Sequence, residues 1–295
     1  MEAPLEGVVA VVTGGSRGIG KGIALELGAA GATVYVTGRT VLPGDHPLPG
    51  TIGDTAAAVT ELGGHGVAVG CDHHVDGEVE AVFDRVMSEA GRLDLLVNNV
   101  FSSPTMIPWL GRPFWELPVA AWDETIDIGC RSHYVAARFA APLLLANGRG
   151  LIVNVSSSGA VRYSHNVAYG VGKAAVDRMA ADMGHELAPH GVAVVSVWPG
   201  LVRTELVALG AQETADGRRV LTLPGEGELD LADAESPRFT GRAVAALAAD
   251  RDVLARSGRA FPVAQLAAEY GFTDVDDHAD GAPTRTEPGP SPGSG

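Results

Sequence analysis

Positive charge is scarce in this chain. Lys and Arg number 21 among 295 residues against 36 Asp and Glu, a formal net charge of −15. So acidic a surface is repelled by nucleic-acid phosphates and by anionic membranes, and no run of Lys/Arg offsets it locally. Cysteine is scarcer still. Cys71 and Cys130 give no disulfide framework and no zinc spacing, and both lie in apolar segments, which suits reduced thiols in a cytoplasmic protein. The N-terminal "MEAPLEGVVA" has no basic region ahead of its apolar run, so it does not read as a signal peptide. No uninterrupted apolar stretch is long enough to span a bilayer. The expectation is a cytoplasmic protein with neither nucleic acid nor membrane as partner.

What is present is apolar, with 46% of residues hydrophobic, enough to build one large α/β core. "VVAVVTG" (8–14), "TVYVTG" (33–38), "GVAVGCD" (66–72), "LDLLVNN" (93–99), "GLIVNVSS" (150–157) and "VAVVSVWPG" (192–200) read as strands. They are nearly continuous in Val, Leu and Ile, as strands are when helices cover both faces. "GRAFPVAQLA" (258–267) adds a seventh candidate. Helical stripes fall between them, at Ile19, Ile23 and Leu27 and at Val79, Phe83 and Val86. This alternation predicts a Rossmann-like, doubly wound parallel sheet of about seven strands in a single domain over 1–282. Two segments break the rhythm: the tryptophan- and proline-rich 101–122, and 205–240, which reads as a mostly irregular excursion. Long loops of this kind are commonly lids or binding loops. The Pro/Gly/Ser-rich end, 283–295, predicts a disordered tail.

"TGGSRGIG" (13–20) follows the first strand and opens the first helix. Glycines there let the backbone turn sharply and approach a pyrophosphate resting on the helix N-terminus. Further on, "YGVGK" places Tyr169 and Lys173 one helical turn apart on a shared face. A phenol with a pKa near ~10 is a poor proton carrier at neutral pH. An ammonium one turn away favours the phenolate, so the phenol can exchange a proton with a carbonyl or alcohol.

These motifs, with "NNV" at 98–100, "NVSSS" at 154–158 and "PGLVRT" at 199–204, occur in the order and spacing of the short-chain dehydrogenases/reductases. The chain resembles that family over residues 5–267, and within it the dehydrogenase/reductase member 1 group. The resemblance implies a nicotinamide cofactor cradled by Gly14, Ser16, Arg17, Gly18, Ile19 and Gly20. It implies adenine held by Asp72 and the adenosine ribose bordered by Asn98. Pro199, Gly200, Val202 and Thr204 would lie along the nicotinamide. Tyr169 would be the proton donor in reduction, and Lys173 would tune it and hold the nicotinamide ribose. Relatives pair through long helices, here near 119–146 and 167–189, which implies a homodimer or homotetramer. The group further implies lipophilic ketones, such as steroids or related cyclic compounds.

An NAD site wants an acid at the end of the second strand for the ribose 2′-hydroxyl. Here Gly38 and Arg39 stand there, and Arg17 lies in the glycine turn. Two guanidiniums converging would pair with a 2′-phosphate, so NADPH is expected over NADH. A substrate-binding serine is expected among Ser156, Ser157 and Ser158. The strand "IVNVSS" favours Ser157, twelve residues before Tyr169, while the family's commoner spacing of thirteen points to Ser156. Adjacent strand residues face opposite sides, so only one of the two can serve.

Two positions depart from the family. Gly129 stands where many relatives carry a relay asparagine, with Asp127 displaced to another face. Phe101 stands where relatives often have glycine. These departures leave a second reading open, an NADPH-binding protein that is catalytically silent. "CDHHVD" (71–76) resembles a metal cluster, but consecutive strand-end residues converge poorly and no second ligand pair is spaced for zinc, so no metal is expected. His133, Tyr134 and His165 are further candidates to line a pocket.

Overall fold

The computed structural model describes residues 3–101, 109, 111–223 and 227–275. The expected disordered tail and part of the tryptophan-rich stretch lie outside the described residues. A seven-stranded, all-parallel sheet forms the centre, in the order β3-β2-β1-β4-β5-β6-β10. Its strands are β1 (Val9–Val12), β2 (Thr33–Gly38), β3 (His65–Gly70), β4 (Leu95–Asn98), β5 (Gly150–Val155), β6 (Val192–Trp198) and β10 (Ala260–Pro262). The order reverses between β1 and β4, and in such sheets ligands bind outside the carboxyl ends of the strands at that point.

Strand periodicity explains why the runs are apolar throughout. In β1, Ala10 and Val12 join one core, while Val9 and Val11 join the other. In β6, Ala193, Val195 and Val197 alternate in the same way with Val192 and Val194. One core packs under α1 (Gly18–Ala29), the other under α3 (Asp76–Ala90), so both facings of β1 and β6 meet a helix layer. Helix α2 (Ile52–Glu61) starts on a capping box between Thr51 and Asp54. On the α3 face, α4 (Val119–Ile126) continues through a π turn, Asp127–Arg131, into α5 (Ser132–Ala146). Beside them runs α6 (Val167–Leu187).

The 205–240 excursion is more regular than its sequence suggested. A short helix α7 (Glu205–Gly210) leads into an antiparallel sheet of β7 (Gln212–Glu213), β8 (Arg219–Leu223) and β9 (Gly227–Asp230). Asp216-Gly217 marks the first turn, with Gly217 at φ +81° and its amide bonded to Thr214 O at 2.9 Å. An Asp-Gly pair favours such a turn, a cue that the reading of 205–240 as irregular chain left unused. The short, mostly polar strands carried little other pattern. The excursion closes where it began: Arg203 N donates to Glu235 O at 2.8 Å, and Glu235 N donates to Leu201 O at 2.7 Å. The chain then enters α8 (Pro237–Ala249), β10 and α9 (Val263–Tyr270).

Candidate active site

A cleft of about 970 Å³ opens over the carboxyl ends of β1, β2, β4 and β5. Its floor is the glycine turn. Gly14 has φ +67°, and a Cβ there would stand 2.8 Å from Val100 Cα, so no larger residue fits. Ser16, Arg17, Gly18, Ile19 and Gly20 also line the cleft. Helix α1 begins here with no side-chain cap of its own and no acid in its first turn. Instead the carboxylate of Glu205, from the distant excursion, accepts from Gly18 N at 2.8 Å. An anion thus already lies against the positive end of the helix.

The two arginines are placed differently. Both border the cleft. Arg17 holds Nε on Pro49 O at 3.0 Å and Nη2 on Thr40 Oγ1 and Gly50 O at 3.0 and 2.9 Å, pinning the 40–50 loop. Burial lowers its pKa from the ordinary value. Arg39 is 58% exposed, with Asp72 3.8 Å away. Asp72 also lines the cleft, and its Oδ1 accepts from His74 N at 3.0 Å. His73 turns inward to Thr37 Oγ1, whereas His74 faces Asp72 and Glu124. The residues of "CDHHVD" therefore diverge.

Asn98 is a correction. It is 1% exposed and faces the protein interior, donating to Asn154 Oδ1 at 2.9 Å and His133 O at 3.3 Å. The neighbouring Asn99 takes the cleft position, its Nδ2 bound to Thr13 O and Gly14 O. Strand alternation exchanges the two, and the doubled asparagine hid which one faced out. Gly200, Val202 and Thr204 line the cleft; Pro199 precedes this wall without joining it. The Thr204 hydroxyl caps α7 through Val207 N. Of the three pocket candidates, His165 lines the cleft, His133 is buried behind it, and Tyr134 is exposed.

At the far end stand Tyr169 and Lys173. Asn166 caps α6 by accepting from Tyr169 N at 2.9 Å, which fixes the helix start and aims the phenol. Tyr169 Oη donates to Ser157 Oγ at 3.0 Å. Ser157 Oγ also accepts from Gly159 N at 2.9 Å, so both of its acceptor positions are used and its own hydrogen is left to donate. Ser156 points the other way, donating to Lys173 O at 3.2 Å, and is buried. The geometry thus brings Ser157, not Ser156, to Tyr169.

Lys173 is 7% exposed and donates from Nζ to Val155 O at 3.0 Å. Burial pushes its pKa down to about 8, against the pull of Asp177 one turn further on. Trp198 Nε1 donates to Asp177 at 2.9 Å, and burial raises that carboxyl. Asp177 and Glu205 escaped the sequence reading; only the i,i+4 spacing of Asp177 from Lys173 hinted at the former. The aromatic rings of Phe101 and His165 flank the phenol, at centroid distances of 5.9 and 4.6 Å. His165 sits at φ +61°, a left-handed conformation that histidine tolerates better than most residues.

The family model for short chain dehydrogenases matches residues 8–214. The chain is 45% identical over 280 residues to Dehydrogenase/reductase SDR family member 1 of Mus musculus, covering 94% of this chain and 86% of that protein. The chain belongs to the short-chain dehydrogenase/reductase family. It is also 28% identical to the 7alpha-hydroxysteroid dehydrogenase of Escherichia coli K12, over 68% of this chain and 73% of the relative. A metagenomic short-chain oxidoreductase, solved in complex with NADP, superposes with a TM-score of 0.65 at 29% identity, over 84% of this chain and 93% of its own. The chain is accordingly an oxidoreductase of a family that uses a nicotinamide dinucleotide. Its cleft fits such a group: a glycine floor that admits no Cβ, a helix end that takes an anion, and a buried lysine beside a phenol. Among the described residues no helix is long and apolar enough to cross a membrane.

Proposed function

We propose that the protein is an NADPH-dependent carbonyl reductase acting on lipophilic ketones or aldehydes. The observation that carries this reading is the hydrogen bond from Tyr169 to Ser157, 3.0 Å long, beside the buried Lys173 in the dinucleotide cleft. NADPH, when bound, supplies the hydride. The glycine turn and the α1 N-terminus would hold its pyrophosphate, and Arg39, backed by Arg17, would hold its 2′-phosphate. Asp72 would face the adenine, and Gly200, Val202 and Thr204, which line the cleft, would border the nicotinamide. The Glu205 carboxylate, which now accepts from Gly18 N, would have to give way to a phosphate held at that amide, since two anions do not share one donor.

Ser157 donates its free hydrogen to the substrate carbonyl oxygen. The Tyr169 hydroxyl gives its proton to that oxygen as the carbon receives the hydride, which yields the alcohol. Lys173 would hold the nicotinamide ribose and would stabilise the phenolate that remains. The substrate end of the cleft includes Ile128, Phe101, Leu206 and Leu221, which supports an apolar substrate, as does the likeness to a steroid dehydrogenase. Exposed Val119 and Trp122 on α4 and Val167 and Val171 on α6 support pairing with further copies through those helices.

Tyr169→Phe removes one oxygen and leaves the helix packing in place. Reduction of a ketone substrate, found by screening with NADPH, should fall ~10²-fold or more. NADPH binding, followed by fluorescence, should persist. Turnover at the normal rate by this variant would end the reading.

A further inference from the structure

We infer that Phe101 is a positioning residue, whose ring face holds the Lys173 ammonium beside Tyr169 in space that Gly129 leaves open. The inference rests on the reading of Tyr169 as the proton donor. Three contacts converge on this one ring. Lys173 Nζ lies 4.9 Å from its centroid and 5.8 Å from that of Tyr169. The ring meets Tyr169 edge-on, at an interplanar angle of 86°. At the ring's edge, a Cβ at Gly129 would stand 2.7 and 2.9 Å from Phe101 Cε2 and Cδ2. Any side chain at 129 would push the ring aside. The two departures from the family pattern are therefore one arrangement, a large residue at 101 matched to none at 129.

The backbone on both sides is fixed. Val100 N donates to Thr13 Oγ1 at 3.2 Å, and Val100 O meets His133 Nε2 at 3.2 Å. Gly129 lies in the π turn Asp127–Arg131, a local widening of the helix that commonly marks functional positions. A buried ammonium needs its charge met. Here one carbonyl, Val155 O, and the electron-rich face of Phe101 do so. The other titratable groups around the pair are Asp177 on α6, Cys130 in the π turn, His133 on α5 and His165 ahead of α6. Burial keeps His133 neutral and raises the Cys130 thiol, so Asp177 is the acid that acts on the ammonium directly.

A ring that only fills space would serve as well with its π electrons withdrawn. Fluorinated phenylalanines at position 101 keep the bulk and weaken the face. The experiment is an ultraviolet titration of tyrosinate in the cofactor-free chain, with the Tyr169→Phe chain as the blank. A weaker hold on the ammonium leaves the phenolate less stabilised, so the Tyr169 midpoint should rise with each added fluorine. It should rise by about one pH unit for the trifluoro ring, the scale of a desolvated cation–π contact. Phe101→Leu should rise at least as far. Gly129→Ala should match Phe101→Leu, and the double variant should add nothing. Identical midpoints across the fluorinated series, or a Gly129→Ala midpoint equal to that of the unaltered chain, would overturn the inference. The readout needs no turnover. A midpoint that follows fluorination in a chain that reduces no ketone would instead reject the proposed function and leave this contact standing.

Discussion

Arg39 presents a guanidinium to solvent at the mouth of the cleft, while Arg17 is bound to the carbonyls of the loop it clasps. An incoming 2′-phosphate meets the first directly and can gain little from re-engaging the second. On the proposed reading, a preference for NADPH over NADH falls mainly on Arg39, at ~1.5–3 kcal/mol for a charge-assisted contact. Arg39→Asp should remove most of it and bring the two dissociation constants together or reverse them, measured by fluorescence titration with both cofactors. Equal affinity of the unaltered chain for the two would reject the assignment. At this scale the sequence was informative where chemistry demands a spacing. Tyr169 and Lys173 had to sit four apart on a helix, and Ser157 had to differ in facing from Ser156. It was silent where a side chain acts through tertiary contact. Nothing near position 101 announces that its ring lies over a lysine 72 positions later in the chain. Nor does "NNV" say which asparagine faces out.

At the scale of the element, α1 starts without a cap of its own and borrows one from α7. Glu205→Gln keeps a hydrogen-bond acceptor for Gly18 N and removes only the charge. The like-charge competition with a pyrophosphate then disappears, while the helix end loses a favourable anion. NADPH should bind about two- to fivefold more tightly, the size of one charge at a helix terminus. Unchanged affinity would show that the carboxylate does not oppose the cofactor. The long strands and helices were legible because each carries many residues of one period. The excursion was not, because β7 has two residues and β8 and β9 alternate too briefly to stand out from irregular chain.

For the whole molecule, two buried imidazoles set a response to acid. Burial lowers His73 to about 4 and His133 to about 3, both below the ordinary value of 6.5. As pH falls the unfolded chain takes up these protons first, so stability is lost between about pH 6.5 and 4 for His73 and down to about 3 for His133. The His73 contribution is on the order of 3 kcal/mol. His73→Gln should flatten the fall of urea midpoints across that window, and an unchanged slope would count against it. The hydrogen bonds that join Leu201 and Arg203 to Glu235 have a different reach. Everything between them leaves and rejoins the body of the protein through one doorway, and the strands beneath end before it opens. A relative could lengthen, shorten or replace that insert without re-registering a bond of the central sheet, and loop closure penalises added length only weakly. On the proposed reading, new substrate ranges can be acquired here as exchangeable cassettes, while Ser157, Tyr169 and Lys173 keep their places.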